Sequence, residues 1–459
     1  MFPAVGPDLQ PIALSLGYGE RLSPYSVPVS SVAVGGSSPS IRTISRSSSS
    51  LSIPFDDDEV DVVRVEGVRH AEGRLEARRY KTSVFVEQLL TILLKLCIPT
   101  WTHRGITAET VKIQKVSGSL TNAVFFVSCP SVPHTSILLL RIYGSSSGTL
   151  ISRPRELHTL HSLSSRYHIG PRVYGTFENG RVEEYFDSSA LAADDLRNAQ
   201  ISTWIGARMA ELHQVDVNAV ELQEPLACSH PTDAPHPWQL GVEKNVKSWL
   251  SSAQEVLSLP AVSDELRKSF ALDEFEVEWT RYVTWLKEWE GKHGASPAVF
   301  AHNDTQYGNL LRLNSCAPGS LEHHQIIVVD FEYASPNPAA FDIANHFHEW
   351  TADYHGETPH ILDPSRYPTR EQRFNFYRAY LTHYKPSIVS PDPLEVQEER
   401  LEAQVGAWSP ASHGMWALWG LVQAREALDG TDGEPEFDYV SYALCRMEGF
   451  RRELRTLFV

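Results

Sequence analysis

Residues 301–310 read AHNDTQYGNL, and this stretch restricts the fold more than any other. Apolar residues lie on both sides: Ala298, Val299 and Phe300 before it, Leu310, Leu311 and Leu313 after it. Polar side chains brought beside a core cost free energy unless each is hydrogen bonded. The chain must therefore build either a structural polar knot or a chemical site here. The next segment, LLRLNSCAPGSLEHHQIIVVDFEY, reads as a hairpin whose second strand, 326–329, ends at Asp330. That places Asp304 in a turn, Asn309 at a strand start and Asp330 at a strand end, with Asn309 and Asp330 close together. Two carboxylates and an amide make a hard, oxygen-rich set suited to Mg²⁺. The carboxylate left over can accept a proton from an alcohol.

Phosphoryl transfer asks for such a set, together with a cation on the phosphates and backbone that covers them. The upstream pattern offers both. VKIQKV (111–116) and NAVFFVS (122–128) read as strands around the turn SGSLT (117–121), whose backbone N–H groups can cover phosphates. ILLLRIYG (137–144) is a third strand with one charge, Arg141. A helix is expected over 153–168, with Leu157, Leu160 and Leu163 along one flank and Glu156 placed to pair with Arg141. A hairpin over 170–186 turns at Asn179-Gly180. Singly, each part has a plainer structural reading: a hairpin turn, an edge-strand charge, a loop clasp. Together they follow the order of a kinase. His302 is expected to hold the loop through hydrogen bonds. His346 and His348, two residues apart, lack a third metal-binding partner in the sequence and are expected to be structural.

Composition narrows the function. The net charge is −17, which disfavours nucleic-acid binding because phosphate contacts need Lys and Arg. Acidity of this kind favours a cationic small molecule. The cysteines, Cys97, Cys129, Cys228, Cys316 and Cys445, are scattered without a CxxC pair. They read as free thiols in a reducing compartment. The first twenty residues lack the pattern of a signal peptide. The most apolar run, LLTILLKLCI (89–98), is too short for a membrane span and is expected to be a buried helix. Cytoplasmic residence is the expectation. Residues 1–55 are rich in Ser, Pro and Gly and read as disordered; Arg42 and Arg46 each precede a serine, Ser45 and Ser49, at basophilic-kinase spacing. From 241 onward helices are expected throughout apart from one hairpin near 309–331, including 416–428 and 439–458.

Two segments resemble the signature motifs of the choline/ethanolamine kinase family: HNDTQYGNLL (302–311) and VVDFEYASPNPAAFDIANHFHEW (328–350). The first is also similar to motifs of aminoglycoside phosphotransferases and protein kinases; the second is long. Weaker similarity lies in ISTWIGARMAELH, YPTREQRFNFYRAYL, SHGMWALWGLVQAR and FDYVSYALCRMEGF. The resemblance implies an α+β, protein-kinase-like two-lobed fold: a tail over 1–75, a β-rich N-lobe over 76–186 and a mainly helical C-lobe over 187–459. It implies Asp304 as the catalytic base, and Asn309 and Asp330 as Mg²⁺ ligands with Glu332 as a further one. Ser117, Ser119 and Asn122 fall in the phosphate-covering loop, Arg141 and Glu156 serve the nucleotide, and Gln306 lies near the phosphates or the base. The adenine hinge falls near Glu183–Phe186, with Glu184 touching the nucleotide. SGSLTN departs from the family pattern in lacking a dense glycine run.

The implied reaction moves the γ-phosphate of ATP to choline, with ethanolamine as a second acceptor. It is the first step of phosphatidylcholine synthesis through CDP-choline. The family also implies a homodimer, for which the sequence shows no diagnostic interface. Choline is a quaternary ammonium, recognised by aromatic faces and a nearby carboxylate. The positions matching the family's cage are Tyr333, Tyr354, Trp416, Trp419, Phe437 and Tyr442, with Glu349 as counter-charge. Two alternatives stay open: a kinase preferring ethanolamine or another small alcohol such as an aminoglycoside, and a non-catalytic pseudokinase that binds nucleotide or head group.

Overall fold

A computed structural model describes residues 62–116, 122–143, 152–221, 239–385, 390–430 and 437–458. The serine-rich tract with Ser45 and Ser49 lies outside the described residues, as do Ser117 and Ser119; Asn122 is described only in its backbone.

The amino-terminal part is one six-stranded sheet with strands β1 (His70–Ala71), β2 (Lys112–Val116), β3 (Asn122–Ser128), β4 (Leu138–Tyr143), β5 (Val173–Phe177) and β6 (Gly180–Glu184). Their order is β1-β5-β6-β4-β3-β2. The five expected strands, three single ones and the two of the hairpin, and the 179–180 turn are present. The structured part begins ahead of the boundary expected at 76, because His70–Ala71 pairs in parallel with Thr176–Phe177 and Leu75 is fully buried. Helix α1 (Ser83–Lys95) covers the sheet. Thr82 caps it by accepting from the Phe85 N–H, and Phe85, Leu89, Ile92 and Leu93 form its buried stripe. The apolar run at 89–98 thus belongs to a globular core. Among the described residues no helix is long and apolar enough to cross a membrane. The four described cysteines are free thiols.

Helix α2 (Arg153–Ser162) follows β4 and passes into a single π-type turn over Leu163–Tyr167. The carboxy-terminal part is mostly helical: α3 (Ala199–Leu212), α4 (Val217–Val220), α5 (Gly241–Leu257), α6 (Asp264–Phe270), α7 (Leu272–His293), α8 (Ala339–Glu349), α9 (Arg370–His383), α10 (Leu394–Gln423), α11 (Arg425–Asp429) and α12 (Tyr439–Leu457). The helix expected from 416 is the end of α10, which runs 30 residues through Pro410. α10 packs against α5, α8, α9 and α12.

More β-structure lies between α7 and α8 than the single expected hairpin. β9 (Leu310–Leu313) and β10 (Ile326–Val328) form that hairpin, and β7 (Ser188–Ala190) adds a third strand on the β9 side. β8 (Ala298–Ala301) pairs separately with β11 (Ser335–Pro338). The sequence SPNP hides this strand, since proline removes a ladder donor and is tolerated only at an edge. The two pairs set down the ends of 302–309 and of 329–334 side by side.

Candidate active site

The loop 302–309 is held by Asp342 of α8. The Asp342 carboxylate accepts from the backbone N–H of His302 (2.9 Å) and of Asn303 (2.8 Å), and meets His213 Nε2 of α3 at 2.9 Å. Burial raises the Asp342 pKa, but His213 and the donors from His302 outweigh it and hold the carboxyl below its ordinary range. Asn303 sits at φ 65°, a left-handed conformation that Asn tolerates better than most residues. Its Nδ2 donates to Tyr333 O and Ser335 Oγ, both at 2.8 Å, and its Oδ1 accepts from Asn337. Asp304 N–H donates to His302 Nδ1 (3.3 Å), so His302 Nε2 carries the proton given to Val329 O (3.0 Å). A neutral imidazole clasping two chain segments is the loop-holding role expected of His302.

Asp342 was not singled out by the sequence, although it lies inside the longer motif. Replacing it with Asn removes charge from three donors at once, and is expected to cost about 3 kcal/mol or more of stability. The sign of its pH dependence follows from its lowered pKa. Its contribution is complete above the ordinary value of 3.8 and is lost as pH falls through the folded-state value. Urea unfolding across pH 3–7 checks this, because the difference between wild type and Asp342→Asn should narrow on the acid side.

Held this way, Asp304 and Asn309 meet. Asn309 Nδ2 donates to Asp304 Oδ2 and to Asp304 O, both at 2.9 Å, while Asn309 Oδ1 is buried and, among the described residues, accepts nothing. Val329 N–H donates to Asn309 O (3.0 Å), which brings Asp330 beside the pair as the hairpin required. Asp330 has φ 68°, a strained value for a non-glycine residue. Burial pushes its carboxyl up to about 6, with Glu156 and Glu183 adding to the rise and Arg141 and Arg181 opposing it. An acceptor without a donor beside a poorly compensated carboxylate is a donor set that fits a hard cation. Glu332 is partly exposed near the same place, and Gln306 accepts from the Gly308 N–H through its side chain.

Above this site lies an ionic cluster whose pairing differs from the expected one. Arg141 and Arg181 are cross-strand partners on β4 and β6, and Glu183 follows Arg181 on the same face. Like charges directly opposite repel, so each needs a carboxylate. Arg181 takes both Glu183 and Glu156 (2.7 Å), while Arg141 bonds Glu183 at 3.3 Å. Glu156 therefore pairs with Arg181 and not, as the sequence led us to expect, with Arg141. The reason is that strand pairing inserts Arg181 between them. Glu183, at the start of the expected hinge, is buried with its side chain in this cluster. Glu184 bonds the chain at Arg172 through both its N–H and its side chain. The signal for Arg181 was the alternation Arg-Val-Glu in the hairpin strand.

The aromatic residues assemble on the other side of the loop. Ring centroids lie 5.3 Å apart for Tyr333 and Trp416, 5.1 Å for Trp416 and Trp419, and 6.0 Å for Trp419 and Tyr442. Phe437 links Tyr442 (5.8 Å) to Tyr354 (6.4 Å). All six expected aromatics thus form one cluster, with Phe437 partly exposed, Tyr333 and Tyr354 buried, and Trp416, Trp419 and Tyr442 fully buried. Tyr333 touches both halves of the site. Its phenol pKa is raised by burial and then by Glu332, Asp304 and Asp330, while its Oη accepts from Trp419 Nε1 (2.9 Å).

Glu349 is buried in the same cluster, but its charge is already matched. Its carboxylate accepts from Arg446 Nη2 at 2.9 Å and from Tyr354 Oη at 2.8 Å, and Arg446 Nε also bonds Tyr442 Oη. The expected counter-charge is thus one half of a buried ion pair. Arg446 was missed; its signal was a lone cation on an otherwise apolar helix stripe.

Comparison with known proteins gives a consistent family. Residues 113–451 match the family model described as choline/ethanolamine kinase. A choline kinase of Schizosaccharomyces pombe is 36% identical over 379 residues, covering 75% of this chain and 78% of that protein. A choline/ethanolamine kinase of Homo sapiens is 32% identical over 353 residues, covering 75% and 80%. The crystal structure of a choline kinase from Cryptosporidium parvum superposes with a TM-score of 0.60 at 25% identity, covering 81% of this chain and 96% of that one.

Proposed function

The chain belongs to the choline/ethanolamine kinase family, and from this we infer that it is a kinase that phosphorylates choline and ethanolamine at the expense of ATP. The observation that carries the reading is the position of Tyr333. One residue belongs to the aromatic cluster through its ring and to the polar loop through its backbone O, which accepts from Asn303, so a cation held by the rings presents its hydroxyl to Asp304.

In this reading the choline hydroxyl oxygen bonds to the γ-phosphorus of ATP, the bond from that phosphorus to the ADP oxygen breaks, and the hydroxyl proton passes to Asp304. Asn309, donating to Asp304 Oδ2, holds the accepting carboxylate in one orientation. Arg141, the less enclosed arginine of the ionic cluster, is placed to bear on the phosphates, and Gln306 stiffens the turn. Mg²⁺ would be held by Asn309 Oδ1, Asp330 and Glu332, and when bound supplies charge neutralisation on the phosphate oxygens. Ser117, Ser119, Asn122 and Glu184 belong to the nucleotide side of the proposal. Residence in the cytoplasm and a homodimer belong to it as well; sedimentation equilibrium measures the latter.

The lining of the cluster favours choline over ethanolamine. Its acceptors are engaged: Glu349 by Arg446 and Tyr354, the Tyr333 hydroxyl by Trp419, and Asn345 Oδ1 by Ser412 and Trp416. A trimethylammonium asks for ring faces and no hydrogen bond. A primary ammonium brings N–H donors that would go unmatched, at a cost of roughly 1–3 kcal/mol. ADP release with ATP and Mg²⁺ is therefore expected to be stimulated by both alcohols, with kcat/KM higher for choline by about tenfold or more. Preference for ethanolamine would mean the rings serve as core. No stimulation by either would remove the kinase reading.

A further inference from the structure

His348 lies beside Glu349 on α8 but points to a different neighbourhood. There it meets His413 of α10 and Glu453 of α12 at a cavity of about 310 Å³, which Ser409, Tyr367, Cys445 and Arg452 also line. We propose that His348, His413 and Glu453 form a binding site for a divalent transition-metal ion of the zinc class.

The donor atoms of the three residues all lie within 4.8 Å of one another. His413 Nε2 is 3.5 Å and His348 Nε2 3.9 Å from Glu453 Oε1, and the two imidazole centroids are 3.9 Å apart. Donors around a tetrahedral zinc, with bonds of about 2.0–2.2 Å, sit roughly 3.3–3.5 Å apart. Closing the present arrangement onto an ion thus takes shifts of an ångström or less.

The second observation is the state of His413. It is 3% exposed, and among the described residues neither of its ring nitrogens, nor Glu453 Oε2, has a hydrogen-bond partner. Buried polar atoms are ordinarily satisfied. A bridging water satisfies one nitrogen; it does not explain two close imidazoles sharing a carboxylate. The sequence also makes room for this ring, since a Cβ on Gly449 would fall 2.6–2.8 Å from His413 atoms. Burial, with Arg446 and Arg452 adding, holds His413 well below its ordinary pKa, and burial does the same to His348. Both imidazoles are therefore neutral and able to ligate. Arg446 and Arg452 both oppose a cation here; the first is paired with Glu349, and the side chain of the second is partly exposed. His348 Nε2 would exchange its contact with Ser409 Oγ (2.9 Å) for the ion.

Two imidazoles and one carboxylate suit zinc, cobalt or ferrous iron and not magnesium, so this site is chemically separate from the oxygen-lined one. The second such cluster, Glu211 with His323 and His324, is already satisfied: both histidines bond Glu211 Oε1, and Arg208 takes the other oxygen. An ion at His348 would join α8, α10 and α12, the three helices that carry Glu349, the tryptophans and Arg446.

The test is Co²⁺ titration of chelator-treated full-length protein in excess Mg²⁺, read by visible d–d absorption, with Zn²⁺ as competitor. One Co²⁺ should bind and be displaced by Zn²⁺. Glu453→Gln and His413→Gln should each weaken it by more than the roughly 10–100-fold that losing an outer partner costs, while His324→Gln keeps wild-type affinity. No Co²⁺ bound by the wild type overturns the site, as does unchanged affinity in Glu453→Gln or loss in His324→Gln alone. Should His413→Gln fail to fold, Glu453→Gln decides, because that side chain is partly exposed and does not anchor the core.

Discussion

Replacing Asp304 with Asn is expected to lower kcat by about 10²–10⁴-fold, with little change in the KM for either substrate. The side chain is 3% exposed and held by Asn309. An amide in its place still accepts that hydrogen bond, so the loop keeps its shape. What it loses is the ability to take the hydroxyl proton and to orient the hydroxyl by charge. Steady-state kinetics of the folded variant, with near-ultraviolet circular dichroism as a check on packing, reads the effect. A kcat within a few-fold of wild type would remove Asp304 from the reaction and leave the polar loop as a structural knot.

The second large effect is on stability. Arg446→Met leaves Glu349 with a buried carboxylate and no cation, and should destabilise the protein by roughly 3–5 kcal/mol. That is a large share of the 5–15 kcal/mol typical of a folded protein. Arg446 and Glu349 are both fully buried, which distinguishes this pair from surface ion pairs worth about 0–1 kcal/mol. The double variant Arg446→Met/Glu349→Leu should recover part of the loss, because the penalty comes from stranding one charge and not from lacking the pair. Urea midpoints at a constant slope measure both. A single variant within about 1 kcal/mol of wild type would show that solvent reaches the Glu349 carboxylate.

Much of the site could be read from local pattern. A polar run between apolar strands placed Asp304, Asn309 and Asp330, and a hairpin brings chain neighbours together whatever surrounds it. The strands of the sheet were legible for the same reason: alternation and turn residues act over a few positions. Legibility ended at β11, where SPNP carries no strand propensity and is made a strand by its partner β8. It ended too at the tail boundary, where two residues join the sheet across more than a hundred positions.

The partners of charged and titratable groups lay beyond the sequence. Arg141 is the one charge in its own strand, but its neighbours are decided by Arg181 arriving from the next hairpin. Glu349 was read as free to meet an ammonium, and Arg446, 97 residues away, answers it instead. His348 lacked a partner within its own segment, and the fold brings His413 and Glu453 to it from two other helices. The sequence by itself determined which residues are present and what their immediate neighbours make of them: turns, strands, helix stripes and the polar character of the 302–309 loop. Only the tertiary structure decided which charges face each other, because Coulomb energy and desolvation depend on distances and burial that arise when helices far apart in the chain pack together.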